Sequence, residues 1–258
     1  MRRHIILTLG RSGSNWLAGA LNQHPNVVNY GEVLGSYNKL AKLKALTRPT
    51  EPWSEYLDRV VSSRPVFYCG QAASAISHIK KRRPVNWHRH SSVTQVGFKE
   101  FATNFERFEL MNYLEPRTDI HIISLQRENI FRRYISNEFL TKTDQVRADS
   151  TTDAQKETLR LDTNDMFDKL ELFESELQIQ SQLLKINNPV LTLTYEKLFD
   201  PNQTKTQLED VYSFLGVNPI EVISGDSKLN SGELSDLIQN FDEVTSALSG
   251  TRFAQFLD

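Results

Sequence analysis

The sequence predicts an α/β fold, a three-layer α/β/α domain with a largely parallel central sheet. Two observations carry this. Three short apolar runs, Ile5–Leu9, Ile120–Leu125 and Val190–Thr194, read as strands buried on both faces. Between them lie segments with apolar residues at helical spacing, so strands alternate with helices along the chain. In such sheets ligands bind beyond the carboxyl ends of the strands. The residues after Leu9, after Leu125 and after Thr194 are therefore expected to share one cleft.

Composition narrows the class. At 258 residues, 39% hydrophobic and 24% charged, the chain has the makeup of one globular domain with a substantial core. A formal net charge of −2 gives no general attraction to nucleic acid or to an anionic membrane. No apolar run reaches the length of a membrane span. The first strand begins by residue 4, which is expected to leave no room for a cleavable signal peptide. Cys69 is the only cysteine, so no intrachain disulfide forms and a reducing, cytoplasmic compartment is expected.

Taken in order, Ile5–Leu9 is followed by Trp16, Leu17, Ala20 and Leu21 at helical spacing, with Ser14 or Asn15 placed to cap the first turn. His24-Pro25-Asn26 is a turn signal, and Val27-Val28 and Asn29-Tyr30-Gly31-Glu32 come next. Residues 36–63 are predicted mainly helical from Leu40, Leu43 and Leu46, and from Trp53, Leu57, Val60 and Val61. A short strand is expected in Arg64–Gly70, a basic turn-rich segment in Lys80–Ser92 and a strand in Thr94–Lys99. The Ile120–Leu125 strand ends at Gln126-Arg127-Glu128. The helix after it carries Ile130, Phe131, Tyr134, Ile135 and Phe139 on one side. Residues 141–163 are polar, lack apolar periodicity and are expected to form a mobile loop. Met166, Leu170, Phe173, Leu177 and Leu184 mark a long helix that Asn188-Pro189 stops. After Val190–Thr194, Asp200-Pro201 opens a helix carrying Leu208, Val211, Tyr212 and Leu215, closed by Gly216. The tail is turn-rich with a terminal helix.

The stretch Gly10-Arg11-Ser12-Gly13-Ser14-Asn15-Trp16 carries the first chemical signal. Gly10 and Gly13 supply the backbone freedom of a sharp loop. Small and hydroxyl residues feeding a helix N-terminus aim N–H groups at one spot, where the helix dipole favours an anion. Arg11 adds a fixed positive charge, so the loop is a site for phosphate or sulfate. The nucleotide P-loop needs G-x-x-x-x-G-K-[ST]; here Ser14 and Asn15 follow Gly13, so the lysine is missing and the glycine spacing fails. Arg127, just past a strand, and Ser136, on the next helix, make a second anion-binding pair. The planar guanidinium grips a phosphate with two parallel bonds, and the hydroxyl adds a donor. The third element is Leu193-Thr194-Tyr195-Glu196-Lys197-Leu198, with Asp200-Pro201 and Phe214-Leu215-Gly216 after it.

Together these segments resemble the sulfotransferases that use 3′-phosphoadenosine 5′-phosphosulfate (PAPS). Arg11–Trp16 is similar to their 5′-phosphosulfate loop. Arg127 with Ser136 is similar to their 3′-phosphate element, in an Arg-Glu-Asn…Arg…Ser form matched by Arg127-Glu128-Asn129, Arg133 and Ser136. His24-Pro25-Asn26-Val27, Gly31-Glu32-Val33-Leu34 and Val96-Gly97-Phe98-Lys99 look most like the nodulation-factor sulfotransferases and related bacterial carbohydrate enzymes. The resemblance implies a P-loop-like sulfotransferase fold over residues 1–258, with a substrate-side helical insert at about 36–93. It implies PAPS as co-substrate, no metal, and sulfuryl transfer to a hydroxyl of a carbohydrate or glycolipid in a bacterial cytoplasm. Donor contacts are implied for Arg11, Ser12, Gly13, Ser14, Asn15, Trp16, Arg127 and Ser136, with Tyr195 at the adenine. Ile238–Glu243 and Gly250–Phe253 are also similar to sulfotransferase tails, in which Thr251 or Arg252 reaches the donor or the helix simply docks.

Sulfuryl transfer needs a base for the acceptor hydroxyl and stabilisation of charge on the leaving oxygen. Glu32 follows Gly31 in a short loop, and the resemblance implies that it is the base; His24 is the runner-up. Arg11 would stabilise the leaving oxygen, since it keeps its charge but donates its proton poorly. Lys99 would bind the transferring sulfonate or the acceptor. His88-Arg89-His90 has the spacing of a two-histidine strand ligand without a third ligand pattern. The Lys80–His90 run is a contact for an acidic sugar or a solvated face, and Trp53 and Trp87 are sugar-stacking rings or packing residues. Two rival functions remain open: a P-loop-type nucleotide kinase, and a sulfotransferase-like protein that binds without turnover.

Overall fold

The computed structural model describes residues 1–35, 38–80, 85–143, 148–149, 158–223, 226–227 and 232–257. In chain order the elements are β1 (Arg2–Thr8), α1 (Ser14–Leu21), β2 (Val27–Asn29), α2 (Lys39–Thr47), α3 (Trp53–Ser62), α4 (Arg64–Lys80) and β3 (Gln95–Phe101). Next come α5 (Ala102–Arg107), β4 (His121–Gln126), α6 (Ile130–Thr143), β5 (Ala148–Asp149), α7 (Met166–Leu183) and β6 (Val190–Thr194). The chain ends with α8 (Tyr195–Leu198), α9 (Thr204–Leu215), β7 (Asp226–Ser227), α10 (Leu234–Leu237), α11 (Phe241–Leu248) and a 3₁₀ turn at Ala254–Phe256. By contacts it divides into two compact units, Met1–Gln126 with Ile179–Val222, and Arg127–Gln178 with Ile223–Asp258.

The first unit holds an all-parallel sheet in the order β2-β3-β1-β4-β6. Ile6, Ile123, Leu125 and Leu193 project from one face and pack with Leu17 and Leu21 of α1 and with Leu208, Val211 and Leu215 of α9. Full burial of side chains of this size stabilises by roughly 1.5–3 kcal/mol each. On the other face Gln180 of α7 donates to Ser124 Oγ at 3.1 Å, and α3 packs on β3. Helices therefore cover both faces of a parallel sheet, the α/β/α class that the strand and helix alternation predicts. After β1 the chain builds β2 and β3 on one side, then β4 and β6 on the other. The order reverses at the carboxyl end of β1, where such sheets open a binding crevice.

One strand register reaches the site directly. Gly97 stands between His4 and Asn29 in the β1–β3–β2 register. A Cβ at Gly97 would collide with the His4 ring. With only a hydrogen there, His4 Nε2 crosses β3 to Asn29 Nδ2 at 3.1 Å. Asn29 Oδ1 in turn accepts the Gly31 N–H at 3.0 Å, which begins the loop carrying Glu32.

The second unit has its own core. Ile130, Phe131, Tyr134 and Ile135 of α6 pack with Met166 and Leu170 of α7 and with Leu234, Val244, Leu248 and Phe253 of the tail. Its strands β5 and β7 pair antiparallel. Among the described residues no helix is long and apolar enough to cross a membrane.

Four local expectations are corrected. Arg64–Gly70 belongs to the helix α4, because Phe67 and Gln71, one helical turn apart, are buried together. At the end of the expected 141–163 loop, Leu159 and Leu161 are buried in the second unit's core while Thr158, Arg160 and Asp162 are exposed; positions 144–147 and 150–157 lie outside the described residues. Asp200-Pro201 forms a turn ahead of α9, which begins at Thr204, with Asp200 accepting from Asn202 and Gln203. Of the two glycines expected to free the loop, Gly13 takes a positive φ, at 77°, and Gly10 does not; Arg11 does, at 64°.

Burial, with the nearby His121, pushes His4 down to about 3 from its ordinary 6.5. The folded chain therefore refuses a proton that the unfolded chain accepts. The stability from this group is complete above pH 6.5 and drains away as pH falls toward 3. Urea unfolding should show a loss of about 2 kcal/mol from His4 between pH 7 and pH 5. His4→Leu should be less stable at pH 7 yet show a shallower slope across that interval; an unchanged slope would assign the titration to other groups.

Candidate functional site

The β1–α1 loop is built on two left-handed residues, Arg11 at φ 64° and Gly13 at φ 77°. For an L-residue with a long side chain this conformation costs roughly 1–2 kcal/mol. Alternation of this kind turns successive N–H groups to one side, the geometry of an anion nest. Gly13 is the N-cap of α1, and no side chain caps the first turn, so neither Ser14 nor Asn15 serves as the expected cap. Ser12 is buried, and its Oγ has no hydrogen-bond partner among the described residues. A buried hydroxyl in that state costs on the order of 1–3 kcal/mol, which a bound anion would relieve. The residues thus fit an anion in the loop.

Gly13 is fixed by its neighbours as well as by its φ. A Cβ there would run into the ring of Phe199 and lie 3.1 Å from Tyr195. Phe199 packs between Trp16 and Tyr195, with ring centroids 5.2 and 4.5 Å away. Tyr195 opens α8, whose N-cap Thr194 accepts from the Lys197 N–H. Burial lowers the Arg11 guanidinium below its usual value while Tyr195 acts in the opposite sense, so the two are neighbours. Tyr195 therefore belongs to the loop's surroundings, as its place after β6 predicts. Phe199 was not foreseen; it reads in sequence as one more apolar residue before a turn.

Glu32 and Lys99 meet. Lys99 lies near the end of β3 with its side chain 1% exposed, and Nζ bonds Glu32 Oε1 at 2.5 Å and Asn15 Oδ1 at 2.8 Å. The carboxylate is 36% exposed, so it faces solvent while pairing with a buried cation. One ammonium thus joins the first turn of α1 to the Gly31–Glu32 loop.

Glu100, next to Lys99, points to the opposite face of the sheet. Its Oε2 accepts the Val33 and Leu34 N–H groups at 3.0 and 2.8 Å. Oε1 accepts from the Phe101 N–H and Asn104 Nδ2 at 3.0 and 2.6 Å. Burial raises this carboxyl above its usual value, while the four donors pull it back. The Glu32 loop is thereby held from both faces of β3. The available signal was the pair of charges at a strand end, where a period of two sends adjacent side chains to opposite faces.

Arg127 and Ser136 belong to the second unit, the first directly after β4 and the second on α6, both buried. Arg133 bonds Glu176 and the Phe173 carbonyl of α7 and lies 4.4 Å from the Phe173 ring, so it ties two helices together. Arg252 forks onto Glu171 and Glu174, and Thr251 Oγ1 donates to the Leu248 carbonyl, so both serve local packing. His24 is buried with both ring nitrogens engaged, one by the Asn218 carbonyl and one by the Asn26 N–H. It braces the turn. His88 Nε2 meets the His24 carbonyl at 3.0 Å, and His90 packs on Phe67. Residues 81–84 of the basic run lie outside the described residues. Trp53 packs on Tyr56 and Phe108, whereas Trp87 is exposed.

Glu100→Gln should expose the clamp. The amide retains one acceptor oxygen and brings an NH₂ against N–H donors, so a loss of roughly 2–4 kcal/mol is expected in denaturant unfolding. Amide exchange at Val33 and Leu34 should accelerate well beyond the global change in stability. Unchanged protection at those two amides would rule out the clamp.

No family model and no curated protein matches this chain. Among solved structures it is similar to a sulfotransferase from Alicyclobacillus acidocaldarius, with a TM-score of 0.46 and 14% identity over 99% of this chain and 92% of that one. It is also similar to the sulfotransferase domain from the curacin biosynthetic pathway, with a TM-score of 0.40 and 14% identity over 85% of this chain and 75% of that one.

Proposed function

We propose that this protein is a sulfotransferase that moves a sulfuryl group from PAPS to a hydroxyl of a carbohydrate or glycolipid. The observation that carries the reading is the Lys99 ammonium, bonded to Asn15 at the anion-nest helix and to Glu32 on the neighbouring loop. A carboxylate thus lies beside a cation, and the cation beside the first turn of α1, which supports this reading. In-line transfer to a hydroxyl needs that order.

When bound, the donor supplies the sulfuryl group and a leaving group with phosphates at both the 5′ and 3′ positions. The Arg11–Trp16 loop holds the 5′ end, with backbone N–H groups, the Ser12 hydroxyl and the Arg11 charge set against developing negative charge. Arg127 and Ser136 hold the 3′-phosphate. The Tyr195 ring, packed at a tilt against Phe199, offers a flat surface to the adenine. Glu32 removes the acceptor proton while Lys99, bonded to it, orients the carboxylate. The helices α2 to α4 form the acceptor side.

The discriminating measurement is calorimetric binding of 3′-phosphoadenosine 5′-phosphate against ATP with magnesium. The product nucleotide should bind at least tenfold more tightly; tighter ATP binding would favour a P-loop-type kinase. Glu32→Gln keeps an oxygen for Lys99 and should lower transfer of labelled sulfate from PAPS to cell-extract glycans and lipids by about 10²–10⁴-fold. Its affinity for the product nucleotide should stay within about twofold. Full transfer by this variant would remove Glu32 from the mechanism, and binding without transfer in the wild type would mark a non-catalytic binder. Arg127→Ala should weaken nucleotide binding far more than it slows transfer at saturation. Equal effects would argue against a 3′-phosphate contact.

A further inference from the structure

The helical layer contains a cavity of about 290 Å³ that the donor site does not use. Leu40 and Leu43 of α2, Tyr56 of α3 and Val66 of α4 give it apolar walls. Three cations, Lys44, Arg48 and Arg59, also line it. Glu51, outside the lining, is the neighbouring carboxylate, and Arg59 occupies it with both arms of its fork at 2.6 Å. Arg48 stands 3.8 Å from the same carboxylate.

Lys44 is the unusual member. It is 95% buried by its relative exposure of 5%, and no carboxylate lies within ion-pair distance of its Nζ among the described residues. Its ammonium rests 4.4 Å from the centre of the Trp53 ring. Glu51, already gripped by Arg59, acts on Lys44 only as a longer-range charge, and a cation–π contact compensates a buried charge only in part. A lysine held at a cavity wall in this state is complementary to an anion inside the cavity.

We propose that the α2–α4 cavity is a binding site for a small amphipathic anion, a carboxylate or sulfate head on an apolar body. Lys44 binds the head, with Arg48 beside it, while Leu40, Leu43, Tyr56 and Val66 cover the body. The site is mechanically joined to the Glu32 loop. Asn38, the side-chain cap of α2, donates to the Glu32 carbonyl at 2.5 Å, and the Tyr56 hydroxyl donates to the Val33 carbonyl at 3.0 Å. The proposal depends on no part of the donor-site reading.

Cys69 supplies the assay. It is the chain's only cysteine, it is exposed, and it lines the cavity. Octanoate should slow alkylation of Cys69 in a saturable way. Octanol should protect roughly tenfold more weakly on a concentration scale, and octylamine should not protect. Lys44→Met keeps the apolar stem, and it should weaken octanoate roughly tenfold without changing the alkylation rate of the free protein. Binding of 3′-phosphoadenosine 5′-phosphate should be unaffected in that variant. No protection by octanoate, or equal protection by octanoate and octanol, would overturn the proposal. The comparison of the three ligands on the wild type stands even if Lys44→Met fails to fold.

Discussion

Lys99 is an ammonium 1% exposed to solvent at the end of a central strand, and that burial constrains everything around it. A buried charge is costly without a partner; removing one member of such a pair typically costs about 3–5 kcal/mol. Glu32 and Asn15 are the partners, so the β2–α2 loop and the first turn of α1 are both tied to β3. The same strand sends Glu100 to its other face, where four donors converge on one carboxylate. Adjacent opposite charges on β3 therefore clamp one loop from two sides. His4 and Asn29 complete the arrangement through the Gly97 gap.

The β1–α1 loop shows the complementary situation, in which one buried hydroxyl is kept unsatisfied. Arg11 takes a backbone conformation that L-residues avoid, and Ser12 buries a hydroxyl with no partner among the described residues. Phe199 closes over Gly13, so the loop's shape is fixed by a ring and not only by glycine's freedom. Strain and unmet hydrogen bonding at one place are tolerated when the surrounding core determines the position and a ligand supplies the missing contacts. Here that core is the α1, α9 and sheet cluster of the first unit.

The other basic residues separate by what they touch. Arg133 and Arg252 each grip acidic residues of α7, and their charges are spent within the second unit's helices. Lys44, by contrast, has an aromatic face and a cavity. A cation's partners, more than its place in a motif, distinguish a structural role from a ligand-binding one.

The sequence by itself determined the main parallel strands and the helices packed between them, and it marked the first loop as a candidate anion site. Those features are local: Ile5 to Leu9 is a run, Gly10 to Trp16 is a short composition, and Leu208 to Leu215 is a helical stripe. It misplaced Arg64–Gly70 because Val66-Phe67-Tyr68 suits a strand or a buried helix face equally, and only packing chooses. It assigned the loop's unusual backbone to Gly10 and Gly13; Gly13 carries its share, while Arg11 and not Gly10 takes the other left-handed position. Glu32 and Lys99 were legible as separate residues. Their union, 67 residues apart, required the parallel register that brings the end of β3 beside the loop after β2. Phe199, the Lys44 cavity and the partners of Glu100 were hidden for the same reason: each role comes from neighbours distant in sequence, which only the tertiary structure supplies.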